Sequence, residues 1–289
     1  MNRGKTLKQI RKNKGVSQLI LSKGIVSQST YSKYEAGRVD VDAEKYIKLL
    51  NKLNISLEEF EYIHNDRIYR KKKDIVQQFF MLNHNDIEKL TLLKIKTAEY
   101  LQIENDIEIK EIRLVCEGLI QLNQENINEA KEIIKPIWER ISKYDQWYLS
   151  DICLINTILF LFPVDIAIEF TQNVLKRLNK YNSFRDIELL KSAFNINLSL
   201  LVITNEDYST ALSIINDSLR QYKRKMNYYI LALHFSRKAI CHFHLGYNDS
   251  TVFLEKAFQL IRLYEDDEYF ERIQLEFIKY TTIHDQELK

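Results

Sequence analysis

The chain is poor in the two residues that most often form turns. Its 289 residues include 6 Gly and 2 Pro, whereas average usage would give about 20 and about 14. A β-sandwich or β-barrel needs many tight turns, so this shortage argues against both and favours long helices joined by short loops. We therefore predict an all-α protein.

The sequence also lacks several motifs and segments, and their absence limits the classes of function to consider. The three cysteines, Cys116, Cys153 and Cys241, are far apart and have neither zinc-ligand nor redox-pair spacing. No apolar run approaches the roughly 18 residues of a membrane helix, and no apolar segment follows the charged N-terminus. Phosphate-binding glycine loops and nucleophile motifs are missing too. The sequence predicts a cytoplasmic protein that is no enzyme, has no membrane partner, and needs neither metal nor cofactor.

Positive charge is concentrated at the start of the chain. Residues 1–73 carry 17 Lys and Arg against 8 Asp and Glu, while residues 74–289 carry 25 against 32. Within residues 1–38 there are nine basic residues and one acidic residue, Glu35. A basic small domain on an acidic larger one suggests that only the first part meets a polyanion. The predicted organisation is a helix-turn-helix domain at 1–66, a basic linker at 67–73 and a helical-repeat domain at 74–289.

Five short helices are predicted in the first domain. Ser17 and Ser27 are suited to begin the second and third of them, with a glycine turn between the two. The third helix places Tyr31 and Tyr34 on its buried side. This segment, 27–37 (SQSTYSKYEAG), resembles the lambda-repressor-type helix-turn-helix domain. The resemblance implies binding to double-stranded DNA through the third helix.

The polar side chains around that helix are the predicted DNA contacts. Gln28 has the amide geometry that pairs with adenine in the major groove, and the basic residues suit phosphates. Arg11 has an alternative role, because it can instead brace the domain through Glu35. A basic face that is simply solvated is the other alternative. The predicted DNA-binding residues are Arg11, Ser17, Gln18, Ser27, Gln28, Ser29, Ser32, Lys33 and Arg38.

From residue 74 onwards the pattern is helical, and a loose repeat marks its turns. Small residues, Ala130, Ala167, Ala211 and Ser250, recur after 37, 44 and 39 positions. This spacing is slightly longer than the tetratricopeptide period of about 34 residues but compatible with a degenerate version. We predict a tetratricopeptide-like solenoid in which small residues let paired helices approach closely. Its concave face would suit an extended peptide.

Polar residues interrupt the first helices of these pairs. A mid-helix Asn is unfavourable relative to Ala, yet its amide both donates and accepts, which suits a peptide backbone. The alternatives are a helix–helix hydrogen bond and a solvated position. The candidate peptide-binding residues are Asn156, Asn195, Arg237, Lys191, Ser199, Arg113 and Glu117.

Taken whole, the chain resembles the Rgg family of Gram-positive transcription regulators. The resemblance is carried by residues 4–12, 27–37, 49–60, 147–149 and 155–163. It implies a homodimer on operator DNA, controlled by a short hydrophobic peptide pheromone in the concave groove, as in quorum sensing. Family members hold such peptides with Asn and Arg on inner helices, and Asn156, Asn195 and Arg237 lie at matching places.

One departure from the family pattern concerns cysteine. Some members join their DNA-binding domains through a cysteine, but here none precedes Cys116. RNA polymerase is a further candidate partner of such a regulator. Two alternative functions stay open at this point: a helical-repeat adaptor that holds a protein partner, and a DNA-binding repressor that uses no peptide.

Overall fold

The computed structural model describes residues 2–64, 67–82, 86–181 and 186–282. Over these ranges the chain forms sixteen α-helices and three short 3-10 helices, with no strand. The all-α prediction is therefore confirmed. The chain divides into two compact units, Met1–Ala130 and Lys131–Lys289. The domain boundaries at 66 and 74 stay a prediction.

The first unit begins with five short helices. Serine hydroxyls begin the second and third, as the sequence predicts: the Ser17 hydroxyl accepts from the Ile20 amide, and the Ser27 hydroxyl accepts from the Thr30 amide. These bonds satisfy helix amides that have no partner inside the helix. The five helices are α1 (Arg3–Asn13), α2 (Gln18–Ser22), α3 (Gln28–Glu35), α4 (Ala43–Lys52) and α5 (Leu57–His64).

An apolar core fixes how these five helices pack. Each helix contributes at least one fully buried large side chain, among them Leu7, Leu21, Tyr31, Leu49 and Phe60. The first turn of α1 also lies directly on the last turn of α3. A Cβ added at Gly4 would stand 1.9 Å from the Tyr34 carbonyl oxygen, so only glycine permits this approach.

Three longer helices complete the first unit: α6 (Arg67–Met81), α7 (Ile87–Leu101) and α8 (Ile107–Asn123). The basic segment 67–73 lies within α6. Its Lys72 ammonium binds Asp106 at 2.7 Å and Glu108 at 3.0 Å, at the start of α8. Burial acts to raise the pKa of the Asp106 carboxyl, but hydrogen bonds from Lys72 and the Ile109 amide outweigh it and lower that pKa. Lys72 is thereby tied to its own unit.

Among the remaining helices, α12 packs on α13 and α14 packs on α15. The predicted spacer residues Ala130, Ala167 and Ala211 are fully buried, and the Ser250 hydroxyl reaches the Ala239 carbonyl at 2.8 Å. These helices are α9 (Ile127–Ile141), α10 (Leu149–Ile158), α11 (Val164–Leu178), α12 (Ile187–Thr204), α13 (Tyr208–Tyr222), α14 (Tyr228–His244), α15 (Ser250–Leu263) and α16 (Asp267–Thr281), with 3-10 turns at Leu159–Leu161, Asn179–Tyr181 and Lys223–Lys225.

Among the described helices, α12 alone is long and apolar enough to cross a membrane. Half of it is buried inside the protein, and it packs against α11, α13 and α14. A buried lysine, Lys191, also lies on it. Such packing is that of a central core helix, which passes the same test of length and composition.

A buried histidine makes the second unit sensitive to pH. The His234 ring on α14 contacts the Ile230 carbonyl at 2.7 Å and the Ser218 hydroxyl at 2.8 Å. Burial lowers its pKa from 6.5 to about 4, so the folded state favours the neutral ring. Its contribution to stability is complete above pH 6.5 and is lost as the pH falls towards the folded pKa.

We expect the free energy of unfolding to fall by about 2 kcal/mol from this group alone between about pH 7 and about pH 5. Urea titrations across that range would measure the effect, with His234→Gln as the variant that removes it. His244→Gln, the same change at an exposed histidine on the same helix, is the matched control for the substitution itself. Equal pH dependence in wild type and His234→Gln would contradict the expectation.

Candidate nucleic-acid interface and ligand site

Helix α3 presents a polar face to solvent above an aromatic buried face. Tyr31 and Tyr34 point into the core, and their apolar packing holds the helix against α1 and α2. The side chains on the other face are exposed, and they are the ones that the sequence assigns to DNA: Gln28, Ser29, Ser32 and Lys33.

Three further residues that are predicted to contact DNA lie beside α3 or at the start of α2: Ser17, Ser27 and Arg38. Ser17 and Ser27 are exposed, but both hydroxyls serve as helix caps, and the Ser27 hydroxyl also lies 2.8 Å from that of Thr30. Arg38 is exposed just after Gly37. Gly37 has a positive φ of 73°, the backbone geometry that ends a helix with glycine.

Arg11 lies inside the domain. Its side chain spans α1 and α3: Nε and Nη2 donate to the two Glu35 carboxylate oxygens at 2.6 and 2.9 Å. Its third nitrogen donates to the Val16 carbonyl at 2.7 Å. Because all three nitrogens are engaged and the residue is 8% exposed, the bracing role is the one that this geometry supports.

Gln18 belongs to the same network. Its amide nitrogen donates to a Glu35 oxygen at 2.7 Å, which joins α2 to the pair formed by α1 and α3. Burial acts to raise the pKa of the Glu35 carboxyl, but the hydrogen bonds from Arg11 and Gln18 outweigh it and lower that pKa. Glu35 is therefore a charged residue whose hydrogen bonds join the first three helices.

In the second unit, two asparagines on neighbouring helices meet. The Asn197 amide nitrogen on α12 lies 3.2 Å from the Asn156 side-chain oxygen and 3.3 Å from its backbone oxygen on α10. Both residues are partly exposed. The Asn156 amide nitrogen and the Asn197 side-chain oxygen have no partner among the described residues. The pair thus offers one donor group and one acceptor side by side.

Apolar side chains border this pair. Leu149 and Cys153 lie two turns and one turn before Asn156 on the same side of α10. Leu190 and Ala193 likewise lie two turns and one turn before Asn197 on α12. These four side chains form the apolar border of the asparagine pair. We call this surface the Asn156–Asn197 face. Its mixture of apolar side chains and a few convergent polar groups is typical of ligand sites.

Asn195 lies on the other side of α12. Two positions along a helix correspond to a rotation of about 200°, so Asn195 and Asn197 point in nearly opposite directions. The residues that share its side are structural: Lys191 is buried and binds the Asn179 side chain at 2.7 Å, and the Ser199 hydroxyl bonds back to the Ile196 carbonyl. The structure does not bring these three residues to Asn156.

Arg237 is a buried junction of three helices. Its Nε and Nη2 donate to the Glu276 carboxylate of α16 at 2.7 and 3.0 Å, and its Nη1 donates to the Ile196 carbonyl of α12 at 2.6 Å. The residue is 4% exposed. Burial, the largest single influence, lowers the pKa of this guanidinium, but the nearby Glu276 carboxylate outweighs it and raises that pKa.

The last two candidates lie on α8 in the first unit. Arg113 is exposed there, and Glu117 is partly exposed. The Glu117 carboxylate forms an ion pair with Lys94 of α7 at 3.3 Å. Glu117 therefore ties α7 to α8, while Arg113 extends into solvent.

Two family models match the chain. A helix-turn-helix model covers residues 7–60, and the C-terminal domain model of the HTH-type transcriptional regulator Rgg covers residues 92–275. The chain belongs to the Rgg family of transcriptional regulators. The prediction of a helix-turn-helix regulator is thereby confirmed.

Solved structures share the fold of this Rgg-family chain along nearly its whole length. A transcriptional regulator from Listeria monocytogenes is 16% identical with a TM-score of 0.72, and the match covers 96% of this chain and 97% of that one. The Streptococcus dysgalactiae SHP pheromone receptor Rgg2 is 16% identical with a TM-score of 0.70. Bacillus thuringiensis PlcR, solved with the peptide PapR7 and DNA, is 17% identical with a TM-score of 0.69. The last two comparisons cover 96% of this chain and 99% of the other.

Two important residues of this Rgg-family chain are not among those predicted from the sequence. Asn197 gives the same signal as Asn195, a polar residue in an apolar helix, but the sequence does not show which side of α12 faces α10. Glu276 gives no signal of its own, since an acidic residue in an amphipathic helix usually lies in solvent. Its partner Arg237 is 39 positions away, a distance at which sequence spacing indicates nothing.

Proposed function

We propose that this chain is a homodimeric, cytoplasmic regulator that binds operator DNA through α3 and responds to a short hydrophobic peptide. The observation that carries the proposal is that one chain has both an exposed polar recognition face on α3 and the partly exposed Asn156–Asn197 face. Two neighbours support it by their own descriptions, since Rgg2 is a pheromone receptor and PlcR was solved with a peptide and DNA.

The DNA contacts follow from exposure and chemistry. Gln28, Ser29 and Ser32 are short or amide side chains on the exposed face of α3, suited to base edges in the major groove. Lys33 and Arg38 supply positive charge for phosphates, and Ser17, Gln18 and Ser27 lie at the starts of the two helices, where backbone amides face outward. Arg11 is left out, because its nitrogens are used inside the domain. Gln18 is kept for its backbone amide, since its side-chain nitrogen donates to Glu35.

The first test separates base reading from phosphate contact. We expect Lys33→Met to lower affinity for specific and scrambled duplexes alike and to reduce the salt slope of log Kobs by about 0.9. Gln28→Ala should instead weaken the specific complex by about 1–3 kcal/mol and leave the salt slope unchanged. Fluorescence anisotropy at several salt concentrations, with the DNA upstream of the chain's own gene, measures both. Wild-type chain that binds specific and scrambled DNA equally would overturn the proposed DNA reading.

The peptide site is proposed at the Asn156–Asn197 face. The free amide donor of Asn156 and the free acceptor of Asn197 match the two polar groups of a peptide backbone. The leucine, alanine and cysteine side chains beside them suit apolar side chains of a short peptide. The mutual hydrogen bond fixes both amides beforehand, which reduces the ordering that binding requires.

The second test compares the two asparagines of α12. We expect Asn197→Ala to weaken peptide binding by about threefold to tenfold, the value of one hydrogen bond, whereas the sequence-based prediction assigns this loss to Asn195→Ala. Calorimetry with synthetic copies of the short hydrophobic peptides encoded beside the gene measures the affinities. Asn173→Ala, the same change on the exposed side of α11, is the control. Loss in Asn195→Ala with full affinity in Asn197→Ala would move the site to the other side of the helix.

A further inference from the structure

Lys52, the last residue of α4, reaches across to the end of α2. Its ammonium donates to the carbonyl oxygens of Lys23 at 2.7 Å and Ile20 at 2.8 Å, and lies 3.3 Å from that of Leu21. The last carbonyls of a helix have no partner within it and carry partial negative charge. No backbone amide of the described residues donates to the carbonyls of Ile20 or Lys23.

These carbonyls border the turn between α2 and α3. The turn is short and passes through Gly24, whose φ is +79° and around which a Cβ would meet no atom within 4 Å. Packing therefore gives this glycine little support. The Ile25 and Val26 side chains pack on the core and anchor the turn from that side. On the α2 side the turn is held by the Lys52 ammonium and by the Ile25 and Val26 amides, which donate to the Ser22 carbonyl at 2.9 and 3.0 Å.

A lysine ammonium has three donors, and here three carbonyls take them. Lys52 is itself exposed, but its ammonium is directed at the protein's own backbone. We propose that Lys52 is a positioning residue for DNA recognition, which holds the helix-turn-helix turn in the shape that presents α3, without itself contacting phosphate. This inference rests on the proposed DNA-binding function.

Salt dependence distinguishes positioning from phosphate contact. A lysine that binds a phosphate adds about 0.9 to the salt slope and acts on specific and non-specific DNA alike. A lysine that positions α3 leaves the slope unchanged and acts on the specific complex only. Lys48, one turn earlier on α4, is the matched control, because it is exposed and paired with Glu44 on its own helix.

The experiment uses the full chain and a duplex that wild-type protein selects from a randomised library. Lys52→Met should lose affinity for this duplex by about tenfold, with unchanged salt slope and unchanged affinity for a scrambled duplex. Lys48→Met should match wild type, and Lys33→Met serves as the phosphate-contact reference. Lys52→Arg keeps the charge and most donors, so it should recover part of the loss.

Hydrogen exchange without DNA supplies an independent measurement. Faster exchange of the Ile25 and Val26 amides in Lys52→Met supports the proposal, as does the expected affinity pattern. Equal losses of affinity on both duplexes with a reduced salt slope would make Lys52 a phosphate contact and overturn the proposal. Wild-type affinity of Lys52→Met for the selected duplex would overturn the proposal too. If Lys52→Met does not fold, Lys52→Arg decides: wild-type exchange and wild-type affinity in that variant overturn the proposal. A wild-type chain that selects no sequence overturns the proposed function instead, and this inference with it.

Discussion

Glu35→Ala is expected to unfold the helix-turn-helix domain or leave it barely stable, and to abolish specific DNA binding. Removing the carboxylate leaves the Arg11 guanidinium buried without a counter-charge, and also removes the acceptor for Gln18. Breaking one side of a buried ion pair destabilises a protein by about 3–5 kcal/mol. That is a large part of a total stability of about 5–15 kcal/mol. Hydrogen exchange of the α1–α3 amides in the full chain would measure the loss in this domain.

Two control variants locate the cause. Glu44→Ala breaks the exposed ion pair with Lys48 and should change stability by less than about 1 kcal/mol. The double variant Arg11→Met with Glu35→Leu removes both charges, so it should recover much of the stability lost in Glu35→Ala. If Glu35→Ala keeps wild-type exchange rates, the pair does not brace the domain.

The pH dependence of this pair has a definite sign. The folded pKa of the Glu35 carboxyl lies below its ordinary value of 4.5, so the contribution of the pair is complete above that value. It is lost as the pH falls through the lowered, folded pKa. Acid weakening of the DNA-binding domain therefore begins at a lower pH than the loss from His234 in the second unit, which begins below pH 6.5.

Arg237→Met should have the second largest effect. The change leaves the Glu276 carboxylate and the Ile196 carbonyl without their donor inside the second unit. We expect a loss of about 3–5 kcal/mol in the stability of that unit, measured by urea unfolding of the full chain. Peptide binding would fall with it, so loss of the peptide response in this variant is not by itself evidence of contact with peptide.

The double variant Arg237→Met with Glu276→Leu separates the two roles. It removes both charges, so stability should largely return. Peptide affinity should return as well if Arg237 acts only as a junction between α12, α14 and α16. Restored stability with lost peptide affinity would instead place Arg237 in contact with the peptide, as the family resemblance implies.

Most of the fold could be predicted from short-range patterns in the sequence. The shortage of Gly and Pro, the serine caps at Ser17 and Ser27, and the spacing of small residues such as Ala167 each reflect short-range physics that the sequence displays directly. The exposed face of α3 followed in the same way, because burying Tyr31 and Tyr34 leaves only one side of that helix for solvent.

The ligand site was harder to predict because it depends on the rotation of helices and on side chains that meet from far apart in sequence. Asn195 and Asn197 look alike in the sequence, and only the packing of α12 on α10 distinguishes them. The Glu276 partner of Arg237 is set by how α16 lies on α14. By contrast, the Arg11–Glu35 pair could be considered beforehand, because Glu35 is the one acidic residue among the first 38.

The enclosure of Glu35 also shapes the long-range electric field of the domain. An acidic residue at the end of a recognition helix would ordinarily repel the polyanion that the helix must approach. Here its charge is cancelled inside the protein by Arg11, so eight of the nine basic residues in segment 1–38 have no acidic counterpart within that segment. The approaching duplex therefore meets a net positive charge in this segment, so diffusional encounter should be fast at low ionic strength and slow as salt is added.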